Sequence, residues 1–269
     1  MIFSVALLGL FAASAANAAP VAETTNELNS TKWTPDHVLK HDEVILYGED
    51  GRMEIVHESV FTSLFEEKGF ALDAPEPDHH YLNTTSKRDE PYTELNERDA
   101  ALDPRGFSCG ATNAVITDRT ENFIDWDVQM SPVVIGTGNG IDVYVSQGYS
   151  VSNSINVGGS ADWGVVKDKL KLSLGVDYTR TWTTQTVINI KGTVPNGYSG
   201  VMITRPLKTR RYGRTMQGCV GSMKQTGTFM ADSYKEGSYN GVKWVSGAIT
   251  MCTKKQFPLS RCNGGGYFI

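Results

Sequence analysis

The residues best suited to proton transfer are confined to one end of this chain. All five histidines, His37, His41, His57, His79 and His80, precede the dibasic pair Lys87-Arg88. Downstream of that pair a histidine-dependent triad, the zinc-protease helix motif and imidazole acid–base catalysis have no residue to work with. Asp125 and Asp127 form a carboxylate pair, yet two positions apart on a strand they share one face, the ordinary arrangement of a solvated rim. Gly136 to Gly140 is glycine-rich but leads into a strand, so it reads as a turn and not as a phosphate loop. The cysteines Cys109, Cys219, Cys252 and Cys262 form no CxxC pair. An even set in an exported chain implies two disulfides with three connectivities open, and paired sulfurs leave no thiolate nucleophile. The expectation is a non-enzyme that needs no cofactor and no metal.

What remains is charge. Between Asp177 and Asp232 no acidic residue occurs, while eight basic residues do, concentrated at Arg205, Lys208, Arg210, Arg211 and Arg214. One reading is a surface for anionic headgroups or acidic glycans, with nucleic acid ranked last for an exported protein. The other is a solvated face, or a face covered by the acidic N-terminal segment.

The elements that would carry these residues begin with an export signal. An apolar run, Ile2 to Ala13, followed by Ala16-Asn17-Ala18, places cleavage after Ala18. Asn29 and Asn83 open N-glycosylation sequons. Lys87-Arg88 resembles a kexin-type processing site. The residues up to Arg88 hold 6 basic and 14 acidic side chains, net −8, against 19 and 16 beyond it, net +3. Such asymmetry suggests separate units. We therefore expect a signal peptide (1–18), an acidic pro-segment (19–88), a linker (89–106) and a disulfide-bonded all-β domain (107–269). Within the pro-segment, Glu43–Tyr47 and Arg52–Val56 around Asp50-Gly51 predict a hairpin. Val60, Phe61, Leu64 and Phe65 predict a helix ending at Gly69. Together they make a small ββα unit at about 42–70.

The all-β domain is organised around residues 141–190. From Ile141 to Val157 the odd positions are apolar (Ile141, Val143, Val145, Tyr149, Val151, Ile155, Val157), and from Lys169 to Ile190 the even ones are (Leu170, Leu172, Leu174, Val176, Tyr178, Trp182). Period-two alternation predicts two long amphipathic strands, roughly 55 and 70 Å if unbroken, with Trp163 near the tip that joins them. Either would be long enough to cross a bilayer in a barrel. Arg180 falls on the apolar set.

The order of a Ser/Asn-rich strand, Gly158-Gly159, an apolar tip, the segment KLKLSLGVDYTRTWTTQT from Lys169, and VPNGYSG from Val194 resembles the stem of the aerolysin/ε-toxin/mosquitocidal-toxin superfamily. The resemblance covers roughly residues 141 to 217. It implies an elongated antiparallel β-domain whose hairpin inserts into membranes after oligomerisation, often following pro-segment cleavage. Separately, DEVILYGEDGR from Asp42 is similar to secreted effector-like proteins of filamentous fungi, which implies a fungal secreted origin. Two functions follow as expectations. One is a secreted, processed toxin-like protein that binds a membrane or glycan surface, forms homo-oligomers and opens a pore. The other is a non-lytic effector that binds its target through the basic 205–214 stretch.

Overall fold

A computed structural model describes residues 30–48, 53–83, 112–147, 150–183, 189–234, 237–239 and 242–269. In chain order the elements before residue 84 are β1 (Thr31–Lys32), β2 (Val38–Leu39), β3 (Glu43–Gly48), β4 (Met53–His57), α1 (Glu58–Glu67) and α2 (His79–Asn83). They are followed by β5 (Thr112–Ile124), β6 (Val128–Gln129), β7 (Val134–Ile135), β8 (Ile141–Tyr144), β9 (Ser150–Ser152), β10 (Ser154–Gly159) and α3 (Trp163–Leu174). The remainder is β11 (Thr181–Thr183), β12 (Lys191–Val194), β13 (Ser199–Arg205), β14 (Leu207–Gly218), β15 (Lys224–Tyr234), β16 (Gly237–Tyr239) and β17 (Val242–Lys254). The protein is predominantly β, with mostly antiparallel sheets behind an N-terminal ββα unit, as the sequence predicts.

The largest sheet runs β1-β4-β3-β17-β13-β6, with β16 and β7 on its sides. A second runs β10-β15-β14-β5, and a third, β2-β12-β8, includes one parallel pair. Strand β13 shows how sequence builds the core. Its run Val201-Met202-Ile203 is buried throughout, so both faces are covered. Met202 packs with Ile249 and Met251, while Val201 and Ile203 face Cys252, Leu259 and Phe268.

The ββα unit forms where expected, with His57 capping α1 at Ser59 N. It is built into the sheets of the chain beyond it. Strand β3 pairs directly with β17, placing Leu46 opposite Ala248 and Ile45 opposite Ile249. Leu39, Ile45, Met53 and Ile55 share one core with Val143, Val145, Val151, Ile190, Met202 and Met251. Val44, Leu46, Val56, Phe61 and Phe65 share another with Ile124, Leu207 and Ala248. Helix α2 presses so closely on β10 that a Cβ on Gly158 would lie 1.9 Å from the Leu82 carbonyl oxygen. The boundary marked by charge is not a boundary of packing.

The first long strand is divided among three sheets. Strand β8 pairs with β12, β9 with β11, and β10 with β15. Asn153 makes the second transfer: its Nδ2 donates to Asp177 O (2.8 Å) while its Oδ1 accepts from Tyr234 N (2.8 Å). The alternation is real, since Val143, Val145 and Val151 are all buried, but period two does not report a change of partner.

The second long strand is corrected more sharply. Residues 163–174 are helix α3, with Asp162 Oδ1 accepting from Val165 N (2.8 Å) and Gly175 in the left-handed conformation at the C-terminal end. An N-cap acid, a left-handed glycine and helix-favouring Lys and Leu between them outweigh the alternation. Val166 and Leu170, four apart, are the buried face; Leu172 is 86% exposed. A turn held by Asp177 follows. Its Oδ1 accepts from Thr179 N (2.9 Å) and Oγ1 (2.6 Å), which hold the carboxyl down at about 2, and strand structure resumes only at β11.

Candidate functional site

Lys208, Arg210, Arg211 and Arg214 lie on β14, between β5 and β15, while Arg205 ends β13 in the main sheet. A cation in that position loses water and needs an anion beside it. Arg210 is 5% exposed, with Nε and Nη2 donating to the two Asp232 oxygens (2.9 and 3.0 Å) and Nη1 donating to Pro75 O (2.9 Å). Burial pulls its pKa down, and the Asp232 hydrogen bonds more than offset that. Lys208 pairs with Asp125 (2.5 Å), and Arg214 reaches Asp118 through Nε (3.0 Å) and Nη2 (2.9 Å). Arg211 donates to Tyr178 Oη (3.3 Å) and Ser233 Oγ (3.2 Å), and Arg205 pairs with Glu58. Four of the five cations thus have a carboxylate partner, and Arg211 is held by two hydroxyls. This corrects the reading of an open basic face.

Part of the neutralisation comes from the N-terminal segment, which covers this strand as one of the two readings supposed. Glu58 meets Arg205, the Pro75 carbonyl meets Arg210, and Asp78 pairs with Arg119 (3.3 Å). Asp78 N donates to Tyr212 Oη (2.9 Å), and Tyr81 Oη donates to Asp118 (2.5 Å), the acid that also holds Arg214. The acids sit at positions with no spacing relation to the arginines, so the matching was invisible in the sequence.

The stem residues divide into buried and exposed sets. Val151 and Leu170 are core, Ile155 is half-buried, and Trp182 lies in β11 opposite Val151. Trp163 is not a hairpin tip but the first residue of α3, 43% exposed, with Lys167 Nζ 5.1 Å from its ring centre. Leu172 and Leu174 are exposed. Arg180 sits in the turn before β11, off any long apolar strand face. Tyr149 lies outside the described residues, as do Ala18, Asn29, Lys87, Arg88 and Cys109. Asn83 is exposed at the end of α2. Cys252 and Cys262 are bonded to each other, which resolves one pairing, and Cys219 is also disulfide-bonded.

The carboxylates Asp125 and Asp127 are used separately. Asp125 serves Lys208 and accepts from Tyr234 Oη (3.0 Å). Asp127 is fully buried; its Oδ2 accepts from Asn263 N (2.6 Å) and its Oδ1 lies 3.7 Å from Arg205 Nε. Burial raises its pKa above the ordinary 3.8, and the Asn263 hydrogen bond and Arg205 only partly oppose this. A carboxyl whose folded pKa is raised binds its proton more tightly folded than unfolded, so its contribution to stability falls as pH rises through its titration range above 3.8. Asp127→Asn is expected to flatten that slope, read as urea midpoints measured at stepwise increasing pH. An unchanged slope rejects the assignment.

No family model and no curated protein matches the sequence. A solved structure of a candidate pore-forming toxin from Bacteroides vulgatus is similar over 58% of this chain, at 12% identity and a TM-score of 0.24. The chain spans 58% of that protein's length, under two thirds of it.

Proposed function

We propose that this chain is a secreted, toxin-like β-protein that binds a membrane surface and forms a β-barrel pore after cleavage at Lys87-Arg88. The observation that carries the reading is the segment 163–174. It is a helix here, yet its Leu170, Leu172 and Leu174 alternate as a barrel strand requires. Only Val166 and Leu170 of this helix are buried, so little packing must be given up for it to extend. Its neighbours are already paired as a ribbon, β8 with β12 and β9 with β11, into which an extended 163–180 could continue. The disulfides and the export signal support an extracellular site of action. No helix among the described residues is long and apolar enough to cross a membrane.

Liposome dye release by the chain cut after Arg88 tests this, with oligomers sought on gels. No release with any lipid and no oligomer rejects the pore. A sharper test uses Leu172→Lys. The side chain is exposed, so melting should shift by no more than a surface substitution allows, about 0.5 kcal/mol. On the lipid face of a barrel the same lysine costs about 2–4 kcal/mol near the midplane, so release should collapse. Release equal to wild type would remove 163–174 from the pore.

The non-lytic reading, in which residues 205–214 bind a target, has less behind it. Arg210 is buried and Arg205, Lys208 and Arg214 are each matched by an acid, so of the five only Arg211, half-buried against two hydroxyls, lacks a carboxylate partner among the described residues.

A further inference from the structure

The C-terminal hairpin presents aromatic side chains that the fold does not use. The Cys252–Cys262 bond closes it, Ser260 bridges Tyr267 antiparallel, Phe268 N donates to Leu259 O (2.9 Å), and Arg261 N donates to Gly266 O (3.1 Å). One side is anchored, because Leu259 and Phe268 are buried against Val201 and Ile203. The rest faces outward: Phe257 is 68% exposed and Tyr267 57%. Trp126, 42% exposed, lies flat against the turn, where a Cβ on Gly264 would come within 2.4 Å of its ring. Two cations of the hairpin are engaged within the fold: Lys254 Nζ donates to Ser260 Oγ (3.0 Å) and the Arg261 carbonyl (2.6 Å), and Arg261 donates to the Asp127 carbonyl and stacks on Phe268. Lys255 is exposed, its Nζ 5.2 Å from the Tyr198 ring centre.

We infer that this hairpin, tied to β17 by its disulfide, is the docking surface for an anionic lipid bilayer, with Phe257, Tyr267 and Trp126 as its apolar contacts and Lys255, two residues before Phe257, as its exposed cation. Aromatic side chains with one apolar and one wet end settle at headgroup level, and an exposed cation such as Lys255 is drawn to anionic leaflets. A rigid loop keeps the rings exposed without the entropy of ordering them on contact. Sugar recognition fits less well. It needs polar groups placed to fix hydroxyls around a ring, whereas the turn beneath Trp126 is three glycines, and of the two acids flanking it Asp127 is buried and Asp125 is paired with Lys208. The surface rests on the membrane reading above but is separate from the segment that would insert.

Flotation with vesicles of equal parts phosphatidylcholine and phosphatidylserine tests it. The wild-type chain should float with these and not with phosphatidylcholine alone. Phe257→Ser/Tyr267→Ser should lose vesicle affinity by about tenfold or more, for the apolar area withdrawn from water, and Lys255→Glu should weaken it too. All three side chains are exposed, so near-ultraviolet dichroism should match wild type in each variant. Wild-type chain that binds no vesicle, or variants that bind like wild type, overturn the assignment. Capture by heparin in place of vesicles overturns it in favour of an acidic glycan. Vesicle binding lost in the variants, without dye release by the wild type, upholds docking and rejects the pore. Release with variant binding intact does the reverse.

Discussion

Residues 89–269 produced alone will not melt as a cooperative unit and will bind a hydrophobic dye at room temperature. Strand β3 lies in the same sheet as β17 and β13, and its loss strips the partner from one side of β17. Val44, Ile45, Leu46, Val56, Phe61 and Phe65 would leave two shared cores with them. At about 1.5–3 kcal/mol per buried side chain, six such losses total roughly 10–15 kcal/mol, the whole stability of an ordinary domain. Adding residues 30–88 in trans should restore the melt. The same contacts dictate that cutting the folded protein after Arg88 leaves both pieces together through gel filtration, although all four cysteines lie on one side of the cut. A sharp thermal transition from 89–269 alone would show that the shared cores do not hold the domain up. Cleavage, if it activates, then acts by freeing a connection and not by releasing a subunit.

The largest single-residue loss should come from Asp232→Ala. Asp232 is 6% exposed and holds both arms of Arg210, with Lys208 Nζ a further 3.7 Å away. Removing it strands a buried guanidinium, at a cost of about 3–5 kcal/mol. Chemical denaturation should show the midpoint falling with little change in slope. Replacing the pair together, Asp232→Leu with Arg210→Met, should recover most of the loss, because no charge then lacks its partner. If the single variant loses under about 1 kcal/mol, water reaches the site and the pair behaves as a surface one. This also decides how the basic strand can be probed: an Arg210 variant reports on folding, so a binding role has to be sought at Arg211, whose contacts are the hydroxyls of Tyr178 and Ser233.

How much of this was legible depended on whether a signal was local. The β3–β4 hairpin and α1 could be read because Asp50-Gly51, the apolar spacing from Val60 to Phe65 and Gly69 are neighbours in sequence. Helix α3 was misread because Leu170, Leu172 and Leu174 satisfy the strand pattern, while the deciding residues, Asp162 and Gly175, stand at its two ends. The integration of the N-terminal segment had a signal of its own. Val44-Ile45-Leu46 is apolar on both faces, which suits an inner strand better than a half-exposed clamp. Charge asymmetry pointed the other way, because it reports how a chain is sorted and cut and not what it packs against. The partners of Arg205, Arg210 and Arg214 could not be read at all, since Glu58, Asp232 and Asp118 reach them only through the fold.

The pairing of β3 with β17 also sets an order of events during synthesis. Leu46 is made early and Ala248 near the end, so the main sheet cannot close until almost the whole described chain has emerged. Contacts this distant along the sequence close slowly, and until they do β3 and β4 present unpaired edges and apolar faces. The N-terminal strands must therefore wait, unpaired on that side, until β17 has been made. A protease acting at Lys87-Arg88 before β17 arrives would leave two fragments that have to find each other; acting afterwards, it meets a sheet already complete.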